Sequence, residues 1–238
     1  MSKVKKLDQL SIFFPAYNEE AHINQTVQQA LKIAPQVAKK FEILVINDGS
    51  QDRTEEIVNQ IVAQHKQVRQ LVHSVNSGYG EALKTGFYNT QYDWIVFTDS
   101  DGQFDFAEIE QFIRTQQETG ADMVIGYYRK RAVSWRRKLN TWVWQQIVGF
   151  LFGLRVRDID CGFKLIHRRV IDQIPRLESG RGAFISSELL IKAQKQGFKI
   201  IEIPVTHHPR KAGRGTGADL NVILRSFWDL GNLWWKLR

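Results

Sequence analysis

Apolar residues along this chain fall into two alternating rhythms. Short apolar runs bounded by polar turns read as strands buried on both faces. Between them, apolar residues recur at three- and four-residue spacing, the stripe of an amphipathic helix. Leu10-Ser11-Ile12-Phe13-Phe14 is the first run, and Pro15 is expected to end its ladder because proline has no N–H to give. A helix is expected over Glu19 to Lys39, with Ala21, Ile23, Val27, Ala30, Leu31 and Ala34 as its stripe. Phe41 to Ile46 forms a second strand. Asn47 to Asp52 is then a turn whose last residue caps the next helix, running through about Gln64. Val68 to His73 reads as a third strand, and Ser77-Gly78-Tyr79-Gly80 leads into a helix ending near Asn89. A fourth strand opens at Trp94, and Phe106 to Thr119 is a helix ended by Gly120. Ala121 to Gly126 is a fifth strand. Strands and helices alternating at this spacing predict an α/β fold with a parallel sheet and right-handed crossovers.

In such a sheet, ligands bind in the crevice outside the carboxyl ends of the strands. The turns after strands one, two and four are polar or acidic, and all three are expected to line that edge. The fourth is Asp99-Ser100-Asp101-Gly102-Gln103. Two carboxylates and an amide oxygen are hard ligands, suited to Mg²⁺ or Mn²⁺ held together with substrate phosphates. The same residues also suit a polar turn, with an aspartate capping the helix that starts near Asp105.

Composition narrows the setting. A chain of 238 residues with 43% hydrophobic residues has enough material for a large core. Its one cysteine, Cys161, permits no internal disulfide, which points to a reducing compartment and a small buried side chain. Met1 to Leu10 has lysines but no long apolar segment behind it, unlike a signal peptide. No apolar run reaches the roughly 20 residues of a membrane span. The net charge of +8 fits nucleic acid, anionic lipid or a phosphorylated substrate without choosing among them.

Three segments in order carry a resemblance. Pro15-Ala16-Tyr17-Asn18-Glu19-Glu20, Asn47-Asp48-Gly49-Ser50-Gln51-Asp52 and Asp99-Ser100-Asp101-Gly102-Gln103 resemble the successive signatures of glycosyltransferase family 2. Asp158-Ile159-Asp160-Cys161-Gly162-Phe163-Lys164 resembles the Asp-x-x-x-Gly-Phe-Arg/Lys segment of its dolichol-phosphate mannose synthase branch, which includes bacterial polyprenyl-phosphate glycosyltransferases. The likeness runs from about Leu10 to Gly217. It implies a GT-A fold over 1–217 with a mostly parallel central sheet flanked by helices, a nucleotide-sugar donor of the GDP-mannose or UDP-glucose type, and a divalent cation such as Mg²⁺ or Mn²⁺. On matching positions, Pro15, Tyr17 and Glu19 would frame base and ribose, and Ile46 and Asp48 would meet the base. Asp99 and Ser100 would sit by the ribose and phosphates, and Asp99, Asp101 and Gln103 would form the metal set. Asp101, Asp158 and Asp160 are the expected catalytic residues. Arg129 or Arg131 is expected to hold a phosphate. After the last strand, Arg210 and Arg214 would close over the diphosphate, although Thr216 stands where relatives commonly have lysine.

The rest of the chain bears on the acceptor. Arg129, Lys130, Arg131, Arg136, Arg137 and Lys138 form an acid-free basic run, followed by the Trp-rich apolar stretch Leu139 to Leu154. That pattern suits a helix lying at a membrane surface, beside a polyprenyl-phosphate acceptor. It also suits a core helix behind a solvated basic loop. Strands are expected at Phe163–His167 and Phe198–Val205, with a helix from Phe184 to Gln196 between them. The segment 218–238 carries a helical stripe of Leu220, Ile223, Leu224, Phe227, Leu230 and Trp234. It reads as a membrane or oligomer contact, or as a helix docked on the domain's own core. A hydroxyl acceptor would need a carboxylate base, whereas a lipid phosphate is already anionic. These features imply a peripheral enzyme on the cytoplasmic face of a membrane. Nucleic acid is a poor fit, because the cations cluster beside tryptophans and match no nucleic-acid module.

Overall fold

Leu7–Ala16 forms the central strand of the protein, β1, because its residues are apolar on both faces and both faces are covered. In this computed structural model the described residues are 4–129, 135–180, 182, 184–209 and 220–236, with only the backbone described for 135–141 and 220–227. After β1 come α1 (Ile23–Val37), β2 (Ala38–Asn47), α2 (Thr54–Gln64), β3 (Val68–Val72), α3 (Tyr79–Asn89) and β4 (Trp94–Phe97). The second half contains α4 (Ile109–Thr119), β5 (Met123–Tyr128), α5 (Trp135–Phe152), β6 (Lys164–His167), α6 (Arg168–Gln173), α7 (Phe184–Lys195), β7 (Ile200–Val205) and α8 (Leu220–Lys236). The strands make one seven-stranded sheet in the order β3-β2-β1-β4-β6-β5-β7.

Alternation along β1 divides the core into two layers. Leu10, Ile12 and Phe14 pack with residues of α1, α2 and α4 on one face, and Phe13 packs with α3 and α7 on the other. The rings of Phe13, Phe87 and Phe97 meet at 5.1 to 5.4 Å on that second face.

Two details depart from the pattern-based expectation. First, Pro15 does not end β1; it pairs with Ile46 of β2. The partnership with β4 stops at Phe13↔Phe97. The Pro15 carbonyl, on the β4 side, takes the Ser100 hydroxyl at 2.6 Å, and no β4 residue remains there to miss the proline's N–H. Second, the helix expected from Glu19 begins at Ile23. The Glu19 and Glu20 amides are spent on Thr54 Oγ1 (2.8 Å) and Asp52 Oδ2 (3.1 Å) across the chain. Its far end is shortened too, since Ala38 leaves the helix to pair with Leu7. The sheet is mostly parallel, as the family resemblance implies. β6 alone runs antiparallel, to both β4 and β5, a reversal that the alternation of strands and helices does not locate. This reversal matters for function: it brings the start of β6 to the end of β4, with Lys164 opposite Phe97.

Candidate active site

The carboxyl ends of β1, β2 and β4 and the entry to β6 all open on one edge of the sheet. Ser100 ties that edge together, donating to the Pro15 carbonyl while its own carbonyl takes the Thr26 hydroxyl of α1 at 3.2 Å. Beyond it the chain turns sharply at Gly102, whose φ of +71° is a left-handed conformation natural to glycine. Asp101 Oδ1 accepts the Gln103 amide at 3.1 Å, closing an Asx-type turn. Asp105 accepts from the Ala107 amide, which fulfils the expected cap.

Asp99 sits deeper. Tyr79, at the start of α3, donates its hydroxyl to Asp99 Oδ1 at 2.9 Å. Burial, and then the charge of Asp99, keep the Tyr79 phenol protonated well above its usual range. Across from it lies Gly162, in the turn that follows Asp158. A Cβ on Gly162 would stand 2.2 Å from Asp99 Oδ2, so only glycine permits this approach. Burial, and next the neighbouring Asp101, push the Asp99 carboxyl up to about 7. Two crowded carboxylates and an amide oxygen form a set of hard oxygen donors, and a divalent cation is the natural counter-charge for such a set. Among the described residues no three His, Cys, Asp or Glu side chains form a metal cage. A cation here would therefore depend on substrate phosphates to complete its shell, the usual habit of Mg²⁺. Gly162→Ala is expected to push Asp99 off its place and to cost about 1–3 kcal/mol of stability as an over-packed site. Thermal melting together with nucleotide-binding calorimetry checks this.

The remaining candidate residues differ in burial and in what they hold. Pro15, Glu19 and Ile46 are buried, and the Glu19 carboxylate lies 3.4 Å from His22 Nδ1. Asp48 is buried and heavily engaged. Its carboxylate pairs with His73 Nδ1 (2.7 Å) and accepts the Ser77 (2.9 Å) and Gly78 (2.8 Å) amides, holding the loop that delivers Tyr79. Tyr17 is half-buried at the same edge, and Arg129 is exposed at the end of β5. Asp158 is buried with Oδ1 accepting the Asp160 amide at 3.1 Å. Gln103 gives its side-chain amide to the His208 carbonyl at 2.8 Å, while the His208 amide donates to the Gln103 carbonyl at the same distance. The Asp99–Gln103 turn is thus fastened to the segment after β7. Arg131, Arg210 and Arg214 lie outside the described residues.

Four site features were not singled out from the sequence: the Tyr79 hydroxyl, the Gly162 approach, the Gln103–His208 pairing and the inward ammonium of Lys164. A tyrosine between two glycines at a helix start, and a lysine heading the apolar run Leu165-Ile166, were their visible signals. Cys161 is fully buried as expected, and burial pushes its thiol up to about 12, which removes it as a nucleophile.

Comparison with known proteins agrees with this architecture. The chain is 27% identical over 224 residues to undecaprenyl-phosphate 4-deoxy-4-formamido-L-arabinose transferase of Proteus mirabilis, covering 94% of this chain and 67% of that one. It is 28% identical over 223 residues to dolichyl-phosphate beta-glucosyltransferase of Saccharomyces cerevisiae, covering 84% and 66%. The chain spans between 37% and 67% of the length of the curated relatives it matches. Among solved structures, glucosyl-3-phosphoglycerate synthase from Mycobacterium tuberculosis, in complex with Mn²⁺, UDP and glucosyl-3-phosphoglycerate, aligns with a TM-score of 0.65. Identity is 21%, with 95% of this chain and 76% of that one covered, a likeness of fold. The family profile described as glycosyl transferase family 2 matches residues 11–174, which takes in both the Asp99–Gln103 turn and the Asp158–Lys164 segment. With its acidic turns gathered at one edge of a GT-A sheet, the chain belongs to glycosyl transferase family 2.

Proposed function

We propose that this protein moves one hexose from a nucleotide-sugar to the phosphate of a polyprenyl lipid, with inversion at the anomeric carbon. The observation that carries this reading is the meeting of Asp99 and Gly162, which joins the donor turn to the acceptor turn in one pocket edge. The names of the relatives support the lipid-phosphate acceptor, and the synthase solved with UDP and Mn²⁺ supports a nucleotide-sugar with a divalent cation.

The chemistry follows from charge. An anionic phosphate oxygen forms a bond to the anomeric carbon as the bond to the nucleoside diphosphate breaks, and the electron pair leaves with the diphosphate. Asp99 and Asp101, with the Gln103 oxygen, would hold Mg²⁺ or Mn²⁺, which neutralises charge developing on the diphosphate. Tyr79 and Gly162 keep Asp99 in place, and Ser100 anchors the turn to β1. Pro15, Tyr17, Glu19, Ile46 and Asp48 would frame the nucleoside, with Arg129, Arg131, Arg210 and Arg214 as candidate phosphate partners. A phosphate acceptor has no proton to lose, so Asp158 and Asp160 orient it without acting as bases.

Membrane contact rests on exposed aromatics. Trp142 and Phe150 of α5 and Trp228 and Trp235 of α8 are 57%, 90%, 73% and 74% exposed. Both helices lean on α7: Trp144 donates to Ser187 Oγ at 3.1 Å, and Leu230 and Leu233 join the same core layer. Among the described residues no helix is long and apolar enough to cross a membrane. Aromatics on two neighbouring helices, near a basic segment, suit an interfacial contact. Phe150→Ser combined with Trp235→Ser is expected to weaken co-sedimentation with anionic vesicles by about tenfold or more.

The deciding assay incubates the protein with Mn²⁺, labelled UDP-glucose or GDP-mannose, and undecaprenyl or dolichyl phosphate. Label extractable into organic solvent is expected, and label confined to water would refute the acceptor. A hydroxyl acceptor is the alternative; it requires that Asp158→Asn or Asp160→Asn abolish turnover while nucleotide binding survives.

A further inference from the structure

Lys164 is the first residue of β6, and its side chain is fully buried in the middle of the sheet. An ammonium taken out of water costs several kcal/mol unless it is compensated. Yet no carboxylate is in hydrogen-bond contact with it among the described residues. Nζ donates instead to two backbone carbonyls, Ile159 at 3.2 Å and Cys161 at a shorter distance. Both acceptors belong to the Asp158–Cys161 turn. On the other side the Phe97 ring, at the end of β4, lies 5.4 Å away. The ammonium therefore pins the acceptor turn against the strand that delivers Asp99. Burial lowers the Lys164 amine from its ordinary value, while Cys161, Asp158, Asp160 and Asp99 pull the other way. Three of those four are carboxylates belonging to the two turns that meet at Gly162.

We infer that Lys164 is the positioning residue of the acceptor turn. Its buried charge holds the Ile159 and Cys161 carbonyls down, so that Gly162 meets Asp99 and an anionic acceptor reaches an edge whose carboxylates are partly compensated. The acceptor half of this inference rests on the function proposed above; the pinning of the turn does not.

Three variants of the chain separate the two. Lys164→Met removes the charge at similar bulk, Lys164→Gln keeps a neutral donor, and Lys164→Arg keeps the charge. Hydrogen exchange of the 159–163 amides reports the turn directly and needs no acceptor. Initial rates with UDP-glucose or GDP-mannose and undecaprenyl phosphate give KM and kcat for each substrate, and donor hydrolysis gives the rate with water as acceptor. In Lys164→Met the turn amides should exchange faster. The kcat/KM for lipid phosphate should fall between about ten- and a hundredfold, the scale of a 1 Å misplacement. Nucleotide affinity and donor hydrolysis should fall much less than lipid transfer, because Tyr79 still holds Asp99, and Lys164→Arg should recover part of the loss. Parallel loss of donor binding and transfer, or unaltered turn exchange, would overturn the inference. Should neither neutral variant fold, wild-type turn exchange and acceptor KM in Lys164→Arg would support it only if both stay near the parent, and a shift in donor KM alone would overturn it. A parent that transfers nothing to lipid phosphate, with turn exchange still responding in Lys164→Met, would remove the acceptor assignment and leave the pin standing.

Discussion

Replacing Asp101 by alanine should lower sugar transfer by between about a hundred- and a thousandfold, the range for losing a group that stabilises developing charge. The fold should survive. Asp101 is half-exposed, and its hydrogen bond to the Gln103 amide closes a turn that Gly102 and the Gln103–His208 pairing also hold. The loss should therefore appear in Mn²⁺ and nucleotide affinity by calorimetry, with the melting temperature nearly unchanged. Gln103→Ala should cost less. Its backbone amide and carbonyl bonds remain, and the neutral oxygen it removes offsets less cation charge than a carboxylate does. Asp101→Ala that binds Mn²⁺ and donor like the parent would remove the cation from this site.

The second large effect lies in the core. Glu188 and Lys192 of α7 form a buried ion pair at 2.6 Å, their side chains 2% and 3% exposed. Glu188 also accepts the Glu178 and Ser179 amides, each at 2.9 Å, and the Ser179 hydroxyl. This clamp holds the loop whose Gly180 carbonyl takes the Glu81 amide at 2.8 Å, in the first turn of the helix that presents Tyr79. Glu188→Ala leaves the Lys192 ammonium buried with the Arg176 carbonyl as its remaining partner, and should cost about 3–5 kcal/mol. For a chain of this size that is on the order of 10 °C in melting temperature. Activity should fall further than stability alone explains, because Tyr79 loses its support. The pH dependence has a definite sign. Burial opposes ionisation of Glu188, but Lys192 and Ser179 outweigh it and hold the carboxyl below its ordinary 4.5. The stabilisation is present above that value and is lost as pH falls through the lower folded value. Melting curves near neutrality and in acid should show the parent losing this increment and Glu188→Gln lacking it throughout.

Much of this protein was legible as a string. The polar turns after the first, second and fourth apolar runs do line one edge, and the Asp99–Gln103 turn closes as an aspartate-rich turn should. Buried strands announce themselves because both faces must be apolar, and helices because one stripe must be. Ends were less legible, since Pro15 and Glu19 take their conformations from partners far along the chain. Pro15 stays in the strand because its neighbour β4 has already stopped, and Glu19 stays out of the helix because Asp52 and Thr54 claim the amides of residues 19 and 20. Asp48 likewise reads as an open turn residue, but the loop carrying Ser77 and Gly78 folds back onto it.

By itself, then, the sequence determined the order of strands and helices in the first half, the acidic edge and the family signatures, because periodicity and turn chemistry are local properties. Strand direction is not local. Only the tertiary structure reversed β6, set Lys164 opposite Phe97, and pressed Gly162 onto the Asp99 carboxylate. Those contacts join segments some sixty residues apart, and they depend on which edge each strand starts from, which no local pattern encodes.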